Sequence, residues 1–471
     1  RNRLRKQELD LHGQRAALRI EEERWTEALE DLGTILELGS SEPGGSALVE
    51  RLARAHRDRG RILVKQGLSS QALQDFDQAV ELIARKGDNS FRAEIARDRA
   101  PVLLAAGFPE RAEEDCTLLL ERGLPTSEKA EMQFLRGVAR LRAGRLNEAL
   151  EDFTEAGDAC SEPRRCRVGR GLAHLRLNHK DKAQACFQGV LDEIADQPPA
   201  ATRVEAVLAH GGLASLRESV GGAEQARADW SAAARAWGSE GAKPGFFAGE
   251  VGKMLAQAGQ AHLTYGDHGV ALSSLRTALE LLDQPTAQDQ SAVMHLRVRG
   301  TIAQALAGLG REREAVEEAR AALEVPESIL RQEPELAASL HFFCGQVLVS
   351  SMSWDEAVQE HLEQAITLYR GLLKERWDAG VQSDLALTLV LRGTVRSGAG
   401  ELASAVADLD EAVELLESLR TRMDGRGLEW ELALALVRRA EALLARDEAA
   451  AASSSLTTAS RILPAAPAPR P

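Results

Sequence analysis

Leu146-Asn-Glu-Ala-Leu-Glu-Asp-Phe-Thr-Glu-Ala156 is the stretch on which the fold turns. It has close copies elsewhere in the chain, Ser70-Gln-Ala-Leu-Gln-Asp-Phe76 and Trp25-Thr-Glu-Ala-Leu-Glu-Asp-Leu32. In each copy a small residue sits at a fixed place, Ala28, Ala72 or Ala149, and a large apolar residue follows four positions on, Leu32, Phe76 or Phe153. Residues four apart share one face of a helix. Twelve positions before each small residue stands another Gly or Ala: Ala16, Gly60 and Gly137.

Carried outward, the same pairing recurs as Ala100/Ala112, Gly171/Ala183, Ala214/Ala226, Gly259/Ala271, Ala303/Ala315, Gly345/Ala357, Gly393/Ala405 and Ala440/Ala452, giving eleven units. Two antiparallel helices can press together only where both carry small side chains. A Gly often follows the first small residue by seven positions: Gly67, Gly107, Gly144, Gly221, Gly266, Gly310 and Gly400. There it can take a left-handed conformation and end the first helix.

This pattern resembles the tetratricopeptide repeat family over about residues 9 to 463. The resemblance implies an all-α, right-handed superhelical solenoid of stacked antiparallel helix hairpins, with a concave groove built mainly from the first helix of each pair. The second small residues are spaced 34 to 48 positions apart, against the family's usual 34, so longer helices or longer connections are expected. Residues 1–463 read as one continuous array, with sub-boundaries near 196–204 and 238–246, and 464–471 as a Pro/Ala-rich tail that cannot be helical.

Composition agrees. Of 471 residues 44% are hydrophobic but only 4% aromatic, so Ala and Leu carry most of the packing and the chain is rich in strong helix formers. No apolar run approaches the roughly 18 residues of a membrane span. The chain lacks an initiator Met, which suggests a fragment or a processed product. A net charge of −14 argues against general affinity for nucleic acid, which rests on Lys and Arg meeting phosphates. Five Cys at irregular spacing, with no CxxC, suggest reduced thiols and a cytoplasmic setting.

The residue before the first small residue is Arg in seven units, where Leu would be ordinary: Arg15, Arg59, Arg99, Arg136, Arg170, Arg392 and Arg439. In five of these units an Asp follows the second small residue by three: Asp31, Asp75, Asp115, Asp152 and Asp408. Matching places on two helices of one hairpin point to a ladder of Arg–Asp pairs.

No sequence signature of catalysis appears: there is no GxxxxGK[ST], GxSxG or HExxH. Cys160, Cys166, His174 and His179 make a crude metal set, but the spacing does not fit a zinc finger. No metal, cofactor or enzymatic activity is expected. The four Asn, at positions 2, 89, 147 and 178, do not sit in mid first helix, so the clamp by which some family members grip chaperone C termini is not expected.

The register instead places Arg54, Arg57, Arg61, Lys65, Arg97, Arg142 and Arg176 on the groove face of the early units, interleaved with Phe134, Leu141, Leu172 and Leu175. The expected function is a protein-interaction scaffold that holds a protein or peptide segment in this groove, an acidic and partly apolar one on the charge pattern. A second reading is a regulatory arm of a larger signalling enzyme such as a kinase, protease or ATPase. Partner identity, pathway and oligomeric state are not legible.

Overall fold

A computed structural model describes residues 2–40, 46–86, 89–197, 199–238, 245–283, 290–324, 327–350, 356–422 and 428–463. Among them there is no strand; all regular structure is helical. The tail at 464–471 lies outside the described residues, as does most of the boundary expected near 238–246. The chain forms two compact units, one of residues 1–261 with 280–288, the other of 262–279 with 289–471.

Unit one holds six hairpins: α1 (Asn2–Glu21) with α2 (Trp25–Ser40), α3 (Ser46–Lys65) with α4 (Ser69–Lys86), α5 (Asn89–Ala105) with α6 (Pro109–Leu120), α7 (Thr126–Arg142) with α8 (Leu146–Ala156), α9 (Pro163–Arg176) with α10 (Lys180–Ile194), and α11 (Pro199–Glu218) with α12 (Ala223–Trp237). Each second helix also packs on the first helix of the next hairpin, so the boundary expected near 196–204 falls where α10 meets α11, and its residues from Pro199 on belong to α11 itself. A 3-10 turn at Gly245–Phe247 leads into α13 (Ala248–Thr264), most of which belongs to unit one.

Unit two takes the last residues of α13 and most of α14 (His268–Leu282), and holds four further hairpins. These are α15 (Gln290–Gly308) with α16 (Glu312–Leu323), α18 (Pro334–Ser350) with α19 (Glu356–Glu375), α20 (Ala379–Gly398) with α21 (Leu402–Arg422), and α22 (Glu429–Ala445) with α23 (Ala449–Ile462). The short α17 (Glu327–Leu330) precedes α18. Helices of up to 21 residues explain why most repeats exceed 34 positions.

The hairpin turns are uniform. All seven turn glycines have positive φ, between 71° and 84°. Among the described residues where the repeat has no Gly at that position, Glu23, Asn178 and Asp447 take the same conformation, at φ 58° to 62°. The amide after each such residue reaches back five positions to a carbonyl, as from Leu68 to Leu63 at 2.9 Å or from Phe108 to Leu103 at 2.9 Å. This is the Schellman closure, and it satisfies a helix-end carbonyl that would otherwise be orphaned.

Small residues let the helices meet. Ala28, Ala72, Ala112, Ala149, Ala183 and Ala226 are all fully buried, as are Phe76 and Phe153. Each large ring wedges against a first-helix glycine. A methyl group at Gly60 would fall 2.9 Å from Phe76, and one at Gly137 2.9 Å from Phe153. The rings also reach the next hairpin: Phe153 lies against Gly169, and Phe187 against both Gly171 and Gly212.

The five Arg–Asp pairs form, each sixteen residues apart across its own hairpin. Arg59 Nε and Nη2 donate to the two carboxylate oxygens of Asp75, both at 2.7 Å. Arg99 does the same to Asp115 at 2.8 and 2.7 Å, and Arg136 donates to Asp152 at 2.7 to 3.1 Å. Arg15 and Asp31 pair likewise, and so do Arg392 and Asp408. In the remaining two units Asp is absent. Arg439 meets Ser455 Oγ at 3.0 Å and Asp410, while the Nε of Arg170 is buried without a hydrogen-bond partner.

Candidate functional site: the first-helix face of unit one

The Arg–Asp ladder has more members than the repeat register suggested. A second Arg one turn later shares the same carboxylate: Arg19 on Asp31 at 2.6 Å, Arg140 on Asp152 at 2.9 Å, and Arg396 on Asp408 at 2.8 Å. A His one turn earlier joins in two units, His12 on Asp31 at 2.8 Å and His56 on Asp75 at 2.7 Å. The signal was present, as cations at separations of 12 and 19 residues from Asp. Burial alone would raise the Asp31 carboxyl, but the hydrogen bonds from Arg15 and His12 and the charge of Arg19 hold its pKa down at about 2. This chemistry closes hairpins and leaves no free cation row there.

The groove residues fall into two groups. In the first, on α3 and α5, the basic stripe is largely answered by carboxylates. Arg57 donates to Asp98 and Glu94, both at 2.6 Å, and only 19% of its side chain is exposed. Arg54 pairs with Glu50 at 2.8 Å, with its guanidinium 5.3 Å from the Phe91 ring centre. Arg61 lies 3.8 Å from Asp98, and Arg97 2.8 Å from Glu128. Lys65 points onto the Trp25 ring at 4.3 Å. Arg54, Arg61 and Arg97 nevertheless remain well exposed.

In the second group, on α7 and α9, Phe134, Leu141 and Leu172 are at most 2% exposed, and Leu175 is half-buried. As apolar anchors open to an outside partner, the first three need correction, because the chain itself covers them. Over Phe134 lie Phe246 and Phe247, with ring centres 6.4 and 6.2 Å away, while Phe153 packs behind it at 6.1 Å. Arg142 donates to the carbonyls of Leu104 and Phe246. Arg176 donates to the Leu141 carbonyl at 2.9 Å and to Glu250 Oε2 at 2.6 Å. Burial lowers the Arg142 pKa, against the raising influence of Glu250. Burial would raise the Glu250 carboxyl, but Arg176 and Lys253 outweigh it and bring it below the ordinary value. Nothing in the sequence period brings residues 142 and 246, or 176 and 250, together.

Five thiols are free: Cys116, Cys160, Cys166 and Cys344 are buried, and Cys186 is partly exposed. Among the described residues no three His, Cys, Asp or Glu side chains converge as a metal site would require, and no helix is long and apolar enough to cross a membrane.

No family model matches the sequence, and no curated protein matches it. Among solved structures, a tetratricopeptide repeat protein from Parabacteroides merdae is 16% identical, covering 64% of this chain and 99% of its own, at a TM-score of 0.45. PilF of Pseudomonas aeruginosa is 19% identical, covering 49% of this chain and 91% of its own, at 0.32. Human IFIT1, solved as a dimer with PPP-AAAA, is 15% identical, covering 96% and 90%, at 0.38. Overlaps this loose say nothing of partner or activity. The repeated Gly/Ala pairs, left-handed turn residues and stacked hairpins themselves establish the fold: the chain is an all-α array of tetratricopeptide-type helix hairpins.

Proposed function

We propose that the chain is a non-catalytic scaffold that holds a segment of another protein on the first-helix face of unit one. The observation that carries this reading is the seated stretch 245–250. The face formed by α5, α7 and α9 already holds a short piece of polypeptide, through side-chain donors to a backbone carbonyl and a carboxylate and through aromatic contacts. Repeat arrays expose such faces because each hairpin buries its core against its neighbours alone. On earlier first helices, α3 and α5 offer Arg54, Arg61 and Arg97, whose exposed side chains suit a segment carrying carboxylates. Five unpaired thiols support a reducing, cytoplasmic setting.

A displayed library of short random segments, selected on the intact chain, tests the reading. Enriched segments should lose about tenfold or more in affinity on Arg61→Glu/Arg97→Glu, with helicity unchanged, and should weaken with salt. Arg57 is left intact because it ties α3 to α5 through Glu94 and Asp98. The reading fails if no segment is enriched, or if enriched segments bind the double variant equally well.

A further inference from the structure

The connection between α12 and α13 differs from the others in unit one. It runs through residues 238–247, whereas α4 joins α5 through 87–88 and α10 joins α11 through 195–198. Its last residues do not simply bridge two helices. They cross to the first helices of earlier hairpins, where Phe246 and Phe247 lie on Phe134 and the Phe246 carbonyl takes a hydrogen bond from Arg142. At the start of α13 Glu250, 8% exposed, is held by Arg176.

The contact is as buried as the core, with Phe247 1% exposed, but it joins residues 104 and 74 positions apart, where the Arg–Asp ladder closes within one hairpin. The recognition is polar and directional at both ends: a guanidinium on a main-chain carbonyl, and a guanidinium on a carboxylate. The array uses the same guanidinium-to-carbonyl contact between successive first helices, Arg142 to Leu104 and Arg176 to Leu141, so these helices hold residues 246–250 by the groups with which they hold each other, and such groups can equally hold a peptide. The charges are also unequal. Arg142 and Arg176 are fixed on α7 and α9, and the seated stretch brings one carboxylate, itself shared with Lys253 of α13 at 3.4 Å. The seat therefore presents two guanidinium groups to one carboxylate, and a segment that places a carboxylate where Glu250 lies suits it.

We propose that Phe246–Glu250 is an internal occupant of a peptide-binding seat on α7 and α9, and that the seat's external ligand is a protein segment with two adjacent aromatic residues followed three positions later by a carboxylate, which binds by displacing it. This rests on the scaffold reading above and names the chemistry of its ligand. A tethered occupant acts at an effective concentration of about millimolar. The intact chain therefore binds an outside segment more weakly than an emptied seat does, in proportion to the fraction of time the seat is open.

The test uses a labelled peptide of the chain's own sequence, Lys243-Pro-Gly-Phe-Phe-Ala-Gly-Glu-Val-Gly-Lys253, added to the intact chain and to Phe246→Ala/Phe247→Ala and Glu250→Ala variants. The emptied variants should bind it about tenfold or more tightly than the intact chain. A scrambled peptide should not bind, and adding Arg142→Ala/Arg176→Ala should abolish the gain. On the intact chain, saturating peptide should speed amide exchange across 246–252 and leave α7 and α9 protected. If the double Phe variant loses helicity, Glu250→Ala and the exchange experiment still decide. The inference is overturned if folded variants bind the peptide no better than its scrambled form, or if 246–252 stays protected at saturation. Should that happen while library segments still bind through Arg61 and Arg97, displacement falls and the scaffold stands; if both experiments fail, both fall.

Discussion

Arg392 and Asp408 face each other across the α20–α21 hairpin, Nε to Oδ2 at 2.9 Å and Nη2 to Oδ1 at 2.7 Å, with 10% and 6% of their side chains exposed. Arg396 takes the same carboxylate from one turn further on. Removing the acid leaves two guanidinium groups short of a partner, so Asp408→Ala should destabilise unit two by about 3–5 kcal/mol. Replacing the pair together, Arg392→Met/Asp408→Leu, should recover a large part of that loss. Arg15→Ala, at a side chain 45% exposed, should cost about 1 kcal/mol or less. Denaturant unfolding of the variants checks all three; equal losses at Arg15 and Asp408 would remove burial as the cause.

Strong acid should weaken the first hairpin. The Asp31 pKa, about 2 in the fold, is roughly 3.9 in an unfolded chain. Its depressed value contributes stability that is complete above about pH 4 and is lost as pH falls toward about 2, on the order of 2 kcal/mol. Amide exchange in α1 and α2 should follow that window, and Asp31→Asn should flatten it. Unchanged acid sensitivity in the variant would show that other carboxylates set the limb.

Unit two should respond at milder acidity. His341 on α18 sits with its Nδ1 3.0 Å from that of His361 on α19, and burial together with the His361 charge holds its pKa down at about 4. A base with a lowered pKa is protonated more readily in the unfolded chain, whose His titrates near 6.5. Stability is therefore full above about pH 6.5 and declines toward pH 4, by up to about 3 kcal/mol. His341→Gln should remove this limb. An NMR titration midpoint for His341 above about 6 would refute the assignment.

The wedged rings give a sharper packing test. A methyl group at Gly171 would lie 2.6 Å from Phe187, so Gly171→Ala should destabilise unit one by about 1–3 kcal/mol despite the better helix propensity of Ala. On α10, a methyl at Gly189 meets only Arg167 at an ordinary 3.7 Å, so Gly189→Ala should stabilise by up to about 1 kcal/mol. Thermal melts of the two variants should move in opposite directions. A gain at Gly171 would mean the helices can part without cost.

What was legible in the sequence was whatever recurs. The spacing of twelve between small residues, the turn position seven further on and the Arg–Asp spacing of sixteen all return in the structure, because each is set within one hairpin. Even Glu23, Asn178 and Asp447 obey the turn position without being Gly. The seat on α7 and α9 was not legible, because Arg142 reaches residue 246 and Arg176 reaches residue 250 across separations that no period encodes. The neutralised stripe was only half legible. Arg57 could be placed on the groove in advance, but the hold of Asp98 on it depends on how α3 and α5 lean on each other.

Because each described clamp spans sixteen residues within one hairpin, a chain pulled from its ends would yield length in steps rather than smoothly. Each opened hairpin of about 40 residues would release about 140 Å of contour. The steps need not be equal in force. At α9–α10 the place of the clamping acid is taken by Cys186, and the Nε of Arg170 is left buried with nothing to hold. That hairpin is where unit one should give way first under tension, leaving α7–α8, closed by Arg136 on Asp152, and α11–α12, closed by Arg217 on Asp229, as links on either side.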